Sequence, residues 1–420
     1  MTEASQETTV LIIGAGIIGI ACAHFLSKAG FKVAVIDKGT IAGACSHGNC
    51  GHILPSHVLP LNSPEAFRTG LKSLFNPDTP FRVRPQLRPD FLNWLWQLCR
   101  RCFVSHQPYV AKNLLQLLES SVDTYDALIK GGCLQCDWRR SGLLYLFQSE
   151  RARKAFSITN DWLSSEYKLA ARQISSTELK ADYPCLSATL TGGFFYGQDA
   201  SLRPDLLARE WSNQLMSDGV AFFENCEFQS LSKHKKKIET VYTSRGEFKA
   251  DHIVLAAGAM SAKFAKAFDS KIPVEPGKGY SVTYHRPAEH MNASLVLPEQ
   301  SLAITSFENH LRIGSMMEFI GFDDSLPSQR IVQLRQSAQP YFKDEIKGPE
   351  VESWFGWRPM TWDSLPIIGR APKIENAYLA TGHNMIGMMS APATGRLIAE
   401  IISQEKPHIN CDAYAPSRFN

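Results

Sequence analysis

Residues 10–38 read VLIIGAGIIGIACAHFLSKAGFKVAVIDK, and this stretch decides the fold. Val10 to Ile13 are uncharged and apolar, which predicts a buried strand. Gly14 makes the tight turn off that strand, Gly16 lets backbone come close to a pyrophosphate, and Gly19 lets helix and strand pack together. Ile17 to Ala29 carry a helical pattern that Gly30 closes, and KVAVID supplies a second strand ending at Asp37. The unit is therefore a dinucleotide-binding βαβ. Its pyrophosphate would sit on the positive helix N-terminus, at the backbone of Ile17 and Ile18. Asp37 stands where a carboxylate accepts hydrogen bonds from a ribose, and Lys38 follows it.

Working outward, 420 residues with 44% apolar and 20% charged content are enough for a large core and two domains. A net charge of +3 gives no whole-chain reason for nucleic-acid binding. The one basic run, Lys233 to Lys237, separates two strand-like segments and reads as a solvated hairpin turn. The polar opening MTEASQETT has no basic region or cleavage pattern, and ten cysteines without a secretion signal fit reduced thiols in the cytoplasm. Two CxxC pairs, Cys99 with Cys102 and Cys133 with Cys136, raise a zinc reading because four thiolates close a tetrahedral site. The first pair lies in the helix-like FLNWLWQLCRRCF, where residues three apart simply share a face, so no metal is expected.

After Asp37, GTIAGACSHGNCGHILP is too rich in glycine and small polar residues for regular structure. It reads as a cofactor-covering loop in which Ser46, Asn49 and Gly51 reach a ring system beyond the pyrophosphate. Prolines from Pro77 to Pro89, with Arg82, Arg84 and Arg88 among them, mark a domain boundary. Residues 90–130 predict two helices. The first carries Trp94, Trp96 and Phe103 beside Arg100 and Arg101, and is either a core helix or a membrane-surface contact. GLLYLF at 142–147 predicts a strand, a helical stretch follows to about Glu178, and another helix starts near Pro204. DHIVLAAGAMS predicts a buried parallel strand whose end, at Ala257 and Gly258, meets a ligand. VEPGKGYSVTY, LRIGSMMEF and the helical 327–341 segment predict an antiparallel sheet with its helix. Finally, AYLATGHNMIGMMSAPATGRLIAEIIS repeats the strand, glycine turn and helix, bringing Gly382, His383 and Gly387 back to the cofactor. The fold class is α/β, with a Rossmann-like domain and an interleaved α+β substrate domain built on an antiparallel sheet.

Four motifs in this order, VLIIGAGIIGIACAHFLSKAGFKVAVIDK, SHGNCG, IVLAAGAMS, and GWRPMTWDSLPIIG with ATGHNMIGMMSAPATG, span nearly the whole chain. In them the sequence resembles the D-amino acid oxidase superfamily of FAD enzymes, and most closely its bacterial D-amino acid dehydrogenase branch. The resemblance implies FAD, held by residues 1–80, 197–270 and 352–420, and a substrate domain of residues 81–196 and 271–351. It implies oxidation of a D-amino acid, including a cyclic one such as a D-proline derivative, with electrons passing to a quinone or other acceptor. A cytoplasmic or peripheral inner-membrane location follows. Asp37 replaces the usual glutamate of the family. Gly48 stands where some relatives carry a flavin-linked histidine, with His47 adjacent, and dissociable FAD is expected.

The resemblance also assigns the substrate side. Arg358 in GWRP matches the family's carboxylate-binding arginine, a task suited to a guanidinium because its fork makes two parallel charge-assisted hydrogen bonds. Arg312 is a second candidate, Tyr280 could add a hydroxyl, and His52 and His383 sit in glycine-rich loops near the flavin. No general base is needed for hydride loss from a neutral amine. The alternatives are a sarcosine- or glycine-type amine oxidase and a non-catalytic flavin-binding assembly protein.

Overall fold

The Thr8–Ile13 strand pairs in parallel with Val33–Ile36 on one side and Ala250–Leu255 on the other, as the glycine motif requires. This arrangement comes from a computed structural model that describes residues 8–73, 76, 79–102, 104–132, 134–286, 293–346 and 348–419. Val10, Leu11 and Ile12 have no exposed surface, because helices cover one face of the sheet and a smaller sheet the other. The six strands run in the order Ile367–Arg370, Ala377–Thr381, Ala250–Leu255, Thr8–Ile13, Val33–Ile36, Ala221–Phe223, and all pairs are parallel except the first. Gly19 is required by contact: a Cβ there would lie 1.9 Å from the Gly14 carbonyl oxygen. Gly14 adopts φ +113°, open to glycine and rare for other residues. The Ile17–Lys28 helix packs on Gly387–Ile402, the predicted C-terminal return helix, and on Pro204–Ser217.

The basic run forms a hairpin, with Lys235 and Lys236 between Phe228–His234 and Lys237–Thr243. Gly246–Phe248 completes that three-stranded antiparallel sheet.

The second large sheet is mostly antiparallel and runs Glu350–Thr361, Val274–His285, His310–Phe319, Leu302–Ser306, Ser294–Leu297, Leu143–Phe147, Gly192–Tyr196, Arg172–Ser175, with Phe81–Val83 beside His310–Phe319. Although the sequence reading begins the last cofactor-domain segment at residue 352, Glu350–Thr361 lies along Val274–His285 over its whole length. One strand thus carries residues of the large sheet to the cofactor side. The helix expected to continue to Glu178 ends at Tyr167, where Lys168 takes a left-handed conformation. A short strand follows, and a capping box between Ser175 and Glu178 opens a new helix.

On the Pro89–Cys99 helix, Phe91, Trp94 and Leu98 face a cluster with Phe319 and Met360, whereas Trp96 is 57% exposed. Trp94 is therefore a core residue, and Phe103 lies outside the described residues. Cys102 is buried and its thiol donates to the Leu98 carbonyl at 3.4 Å. Cys133 also lies outside the described residues. Among the described residues no cluster of His, Cys, Asp or Glu could hold a metal ion, and no helix is long and apolar enough to cross a membrane.

Candidate active site

A cavity of about 640 Å³ opens where the parallel strands end. Glycine turns supply part of its wall. Gly14, Gly16, Ile17 and Ile18 line it, as do Asp37 and Lys38 from the second strand, and Ser46 and Asn49 from the following loop. Ala257 and Gly258 line it from the third strand, and His383 and Gly387 from the return turn.

The Ile17–Lys28 helix begins with Gly16, which caps it with no side chain, and its first turn holds no acidic residue. Ser46 Oγ accepts from Ile17 N at 3.0 Å, which places the loop beside the helix start. The Gly387–Ile402 helix likewise starts without a side-chain cap or an acid in its first turn. Two positive helix ends left free of carboxylates suit a pyrophosphate. Asp37 Oδ2 accepts from Ala15 N and Oδ1 from Gly39 N, each at 2.8 Å. The turn itself thus fixes the carboxylate, and each oxygen keeps lone-pair capacity for a ribose hydroxyl. Asn49 is spent on the loop, since its Oδ1 accepts from Gly51 N at 2.7 Å and its Nδ2 donates to the Ser46 carbonyl at 3.1 Å.

Arg358 also lines the cavity. Its Nη1 donates to the Met316 carbonyl at 2.8 Å, and among the described residues it pairs with no carboxylate. Burial pulls its pKa down from the ordinary arginine value, while the nearby Cys45 and Cys50 thiols act the other way.

Three expected substrate-side residues do not reach the cavity. Arg312 is buried and already used: Nε donates to Thr283 Oγ1, Nη1 to the His47 and Asn49 carbonyls, and Nη2 lies 3.5 Å from Glu352. It holds the cofactor-side loop to the large sheet. Tyr280 is buried, and its hydroxyl donates to Glu318 Oε2 at 2.5 Å. His52 is buried on a short strand with Nε2 3.4 Å from the Ile304 carbonyl. Gly19, Gly51 and Gly382 also stand behind the lining, where neighbouring groups leave no room for a Cβ. His383 does line the cavity, but its Nε2 is paired with Thr394 Oγ1 at 3.0 Å and burial lowers its pKa to about 3.

The buried histidines give the fold an acid sensitivity. Burial lowers His24 and His52 to about 4 and His383 to about 3. All three are neutral in the folded chain, whereas in the unfolded chain each takes up a proton near pH 6.5. The unfolded state then binds more protons, so unfolding free energy should fall as pH drops from about 6.5 towards 4, by up to about 1.4 kcal/mol per histidine per unit. Asp199, raised to about 7 by burial, has the opposite effect, as have Glu119 and Glu275, while burial lowers His57, His106, His252, His310 and His408 in the same sense as the three. Denaturant midpoints at pH 7.5 and 5.0 test this. The His24→Leu variant should lose part of the difference, because His24 Nε2 has no hydrogen-bond partner among the described residues. Equal midpoints in the native protein would contradict it.

Sequence reasoning missed Trp354 and Cys45 in the lining. The signal for Trp354 was present: it lies four residues before Arg358 on a strand, hence on the same face.

Two helix starts with no acid in their first turns and an arginine carried in from the antiparallel sheet meet at one cavity, a site suited to a dinucleotide cofactor and an anionic ligand. The family model described as FAD dependent oxidoreductase, DAO, matches residues 9–401, and the chain belongs to that family. FAD is its cofactor. Among solved structures, the chain is similar to glycine oxidase from Geobacillus kaustophilus, at 20% identity and a TM-score of 0.80, covering 98% of this chain and 99% of that one. It is similar to L-proline dehydrogenase from P. horikoshii, at 20% identity and 0.75, covering 99% and 98%. L-amino acid deaminase from Proteus vulgaris matches at 16% and 0.73, covering 100% and 99%. At such identities the likeness shows the fold.

Proposed function

We propose that this oxidoreductase removes hydride from the α-carbon of a D-amino acid, cyclic ones such as D-proline included, giving an imino acid that water converts to the oxo acid. The observation that carries the reading is Arg358, a cavity-facing guanidinium whose one hydrogen bond among the described residues is to a carbonyl. A half-buried guanidinium with no carboxylate beside it among the described residues is disposed to take an anionic ligand. The substrate carboxylate is such a ligand.

The glycine turn and the Ile17 and Gly387 helix starts would hold the pyrophosphate of FAD, and Asp37 its ribose. Bound FAD supplies the hydride acceptor. The protein's contribution is orientation, because Arg358 fixes one end of the substrate and so fixes the direction of its α-hydrogen. His383, neutral and tied to Thr394, holds its turn without carrying a proton to or from the substrate.

Dissociable rather than covalent FAD is supported by His47, whose Nε2 is paired with Glu352 Oε1 at 2.7 Å. Acid or heat should release FAD into the supernatant; flavin that stays on denatured protein would refute this. A quinone is the acceptor we favour, and a peripheral membrane position fits the exposed Leu87, Leu92 and Trp96, with Arg100 over the Trp96 ring at 4.8 Å. Failure to sediment with phosphatidylglycerol vesicles would remove that position.

An anaerobic screen of D- and L-amino acids, glycine and sarcosine for flavin bleaching tests the function. Bleaching by D-amino acids, and faster turnover with a quinone than with oxygen, is expected. Preference for sarcosine or glycine would favour the amine-oxidase alternative, and no bleaching by any amine would favour a non-catalytic flavoprotein.

A further inference from the structure

We propose that Trp354 sets the side-chain preference of this site, its indole forming an apolar plate beside Arg358 that suits an α-amino acid with a flat or cyclic apolar side chain. The proposal rests on the carboxylate role given to Arg358 above. Trp354, Gly356 and Arg358 alternate along the Glu350–Thr361 strand and project from one face. Gly356 is paired across the sheet with Gly279. A Cβ on Gly279 would lie 2.0 Å from Arg358 Nη1, so the guanidinium rests over bare backbone there. A Cβ on Gly356 would lie 2.3 Å from Trp354 Cη2, so the far edge of the indole rests over the neighbouring bare backbone. Opposed residues of antiparallel strands have Cα atoms about 4.5 to 5.5 Å apart. Guanidinium and indole therefore lie side by side on a shelf made by two paired glycines.

The ring is also held at its other end. A Cβ on Gly48 would lie 2.2 Å from Trp354 Cδ2, so the loop carrying Ser46 and Asn49 packs directly on the indole. A side chain at Gly48 or Gly356 would displace it. Both Trp354 and Arg358 line the cavity. When a carboxylate occupies Arg358, the α-carbon is anchored and its side chain comes within reach of a ring that has already lost its freedom to move. Such a preorganised plate binds a flat apolar group with little further ordering cost. An aromatic or alicyclic side chain gains contact area there, and a methyl group gains little.

Two acids without an amine separate this from the chemistry: 3-phenylpropionate and propionate, their binding read from the shift they cause in the flavin absorbance of the FAD-loaded protein. The native protein should bind 3-phenylpropionate at least roughly tenfold more tightly than propionate. Trp354→Ala should abolish most of that ratio while leaving propionate affinity within about twofold, and Trp354→Phe should restore much of it. Gly48→Ala, which moves the ring without removing it, should also lower the ratio. Arg358→Ala should weaken both acids alike. No preference in the native protein, or a preference that survives Trp354→Ala, overturns the proposal. Unchanged affinity for both acids in Arg358→Ala overturns instead the carboxylate reading beneath it.

Discussion

Replacing Arg358 by alanine should lower kcat/KM for a good amino-acid substrate by about thirtyfold to several-thousandfold, a loss of roughly 2 to 5 kcal/mol. The size follows from the lost charge-assisted pair: the substrate carboxylate would find the forked, carbonyl-bound guanidinium of Arg358 gone, and among the described lining residues the other cations are the lysines Lys38 and Lys263, which lack the fork. Arg312 cannot substitute, because its guanidinium is engaged by Thr283, two loop carbonyls and Glu352. Lysine at 358 keeps the charge and loses the fork, so partial recovery is expected. The variant should retain FAD, since Arg358 takes no part in the glycine turn or in either helix start. An amine lacking the carboxylate should be a poor substrate of the native protein and lose little further in the variant. Stopped-flow flavin reduction with FAD content matched decides the matter, and equal rates and equal half-saturation would leave Arg358 a structural residue.

Glu318→Ala should destabilise the fold by about 3 to 5 kcal/mol without comparable loss of substrate specificity. Glu318 is 2% exposed, with Oε1 bound by Arg330 at 2.5 Å, Oε2 by the Tyr280 hydroxyl at 2.5 Å, and Arg82 3.7 Å away. Removing the carboxylate takes from Arg330 the counter-charge at 2.5 Å and from the buried Tyr280 hydroxyl its acceptor. Tyr280→Phe removes only one neutral partner and should cost about 1 kcal/mol. Thermal unfolding of the FAD-loaded proteins compares the two. If both variants melt with the native protein, the network carries no stability. If Tyr280→Phe instead abolishes flavin reduction at unchanged stability, the tyrosine acts on substrate after all.

Tyr280 and Arg312 show where reading along the chain stops being enough. Both lie on strands that the sequence does predict, in GKGYS and LRIGS, and both are residue types that bind carboxylates. Their assignment turned on which face each strand shows to the cavity and on what else reaches them, and neither is local information. Tyr280 meets Glu318, and Arg312 meets Thr283, only because Val274–His285 and His310–Phe319 pair side by side, and Arg330 reaches Glu318 from the Ser328–Ala338 helix. The same limit explains the continuation of the helix to Glu178: a helical pattern was present, but the Ser175–Glu178 capping box and the pairing of Arg172–Ser175 with Gly192–Tyr196 restart the chain.

The resemblance in four motifs along the chain implied FAD, and the residues by themselves determined the βαβ unit and the C-terminal return helix. In each of these, spacing within some thirty residues fixes the geometry: a glycine must stand wherever a Cβ would strike the next turn, as Gly19 does against Gly14. Only the tertiary structure decided which arginine lines the cavity. Arg312 and Arg358 lie on strands at opposite edges of Val274–His285. One is consumed by the loop that covers it, and the other rests over Gly279, gives one hydrogen bond to the Met316 carbonyl and lines the cavity. A charge becomes available for binding through the partners it lacks, and those are set by the packing of distant segments.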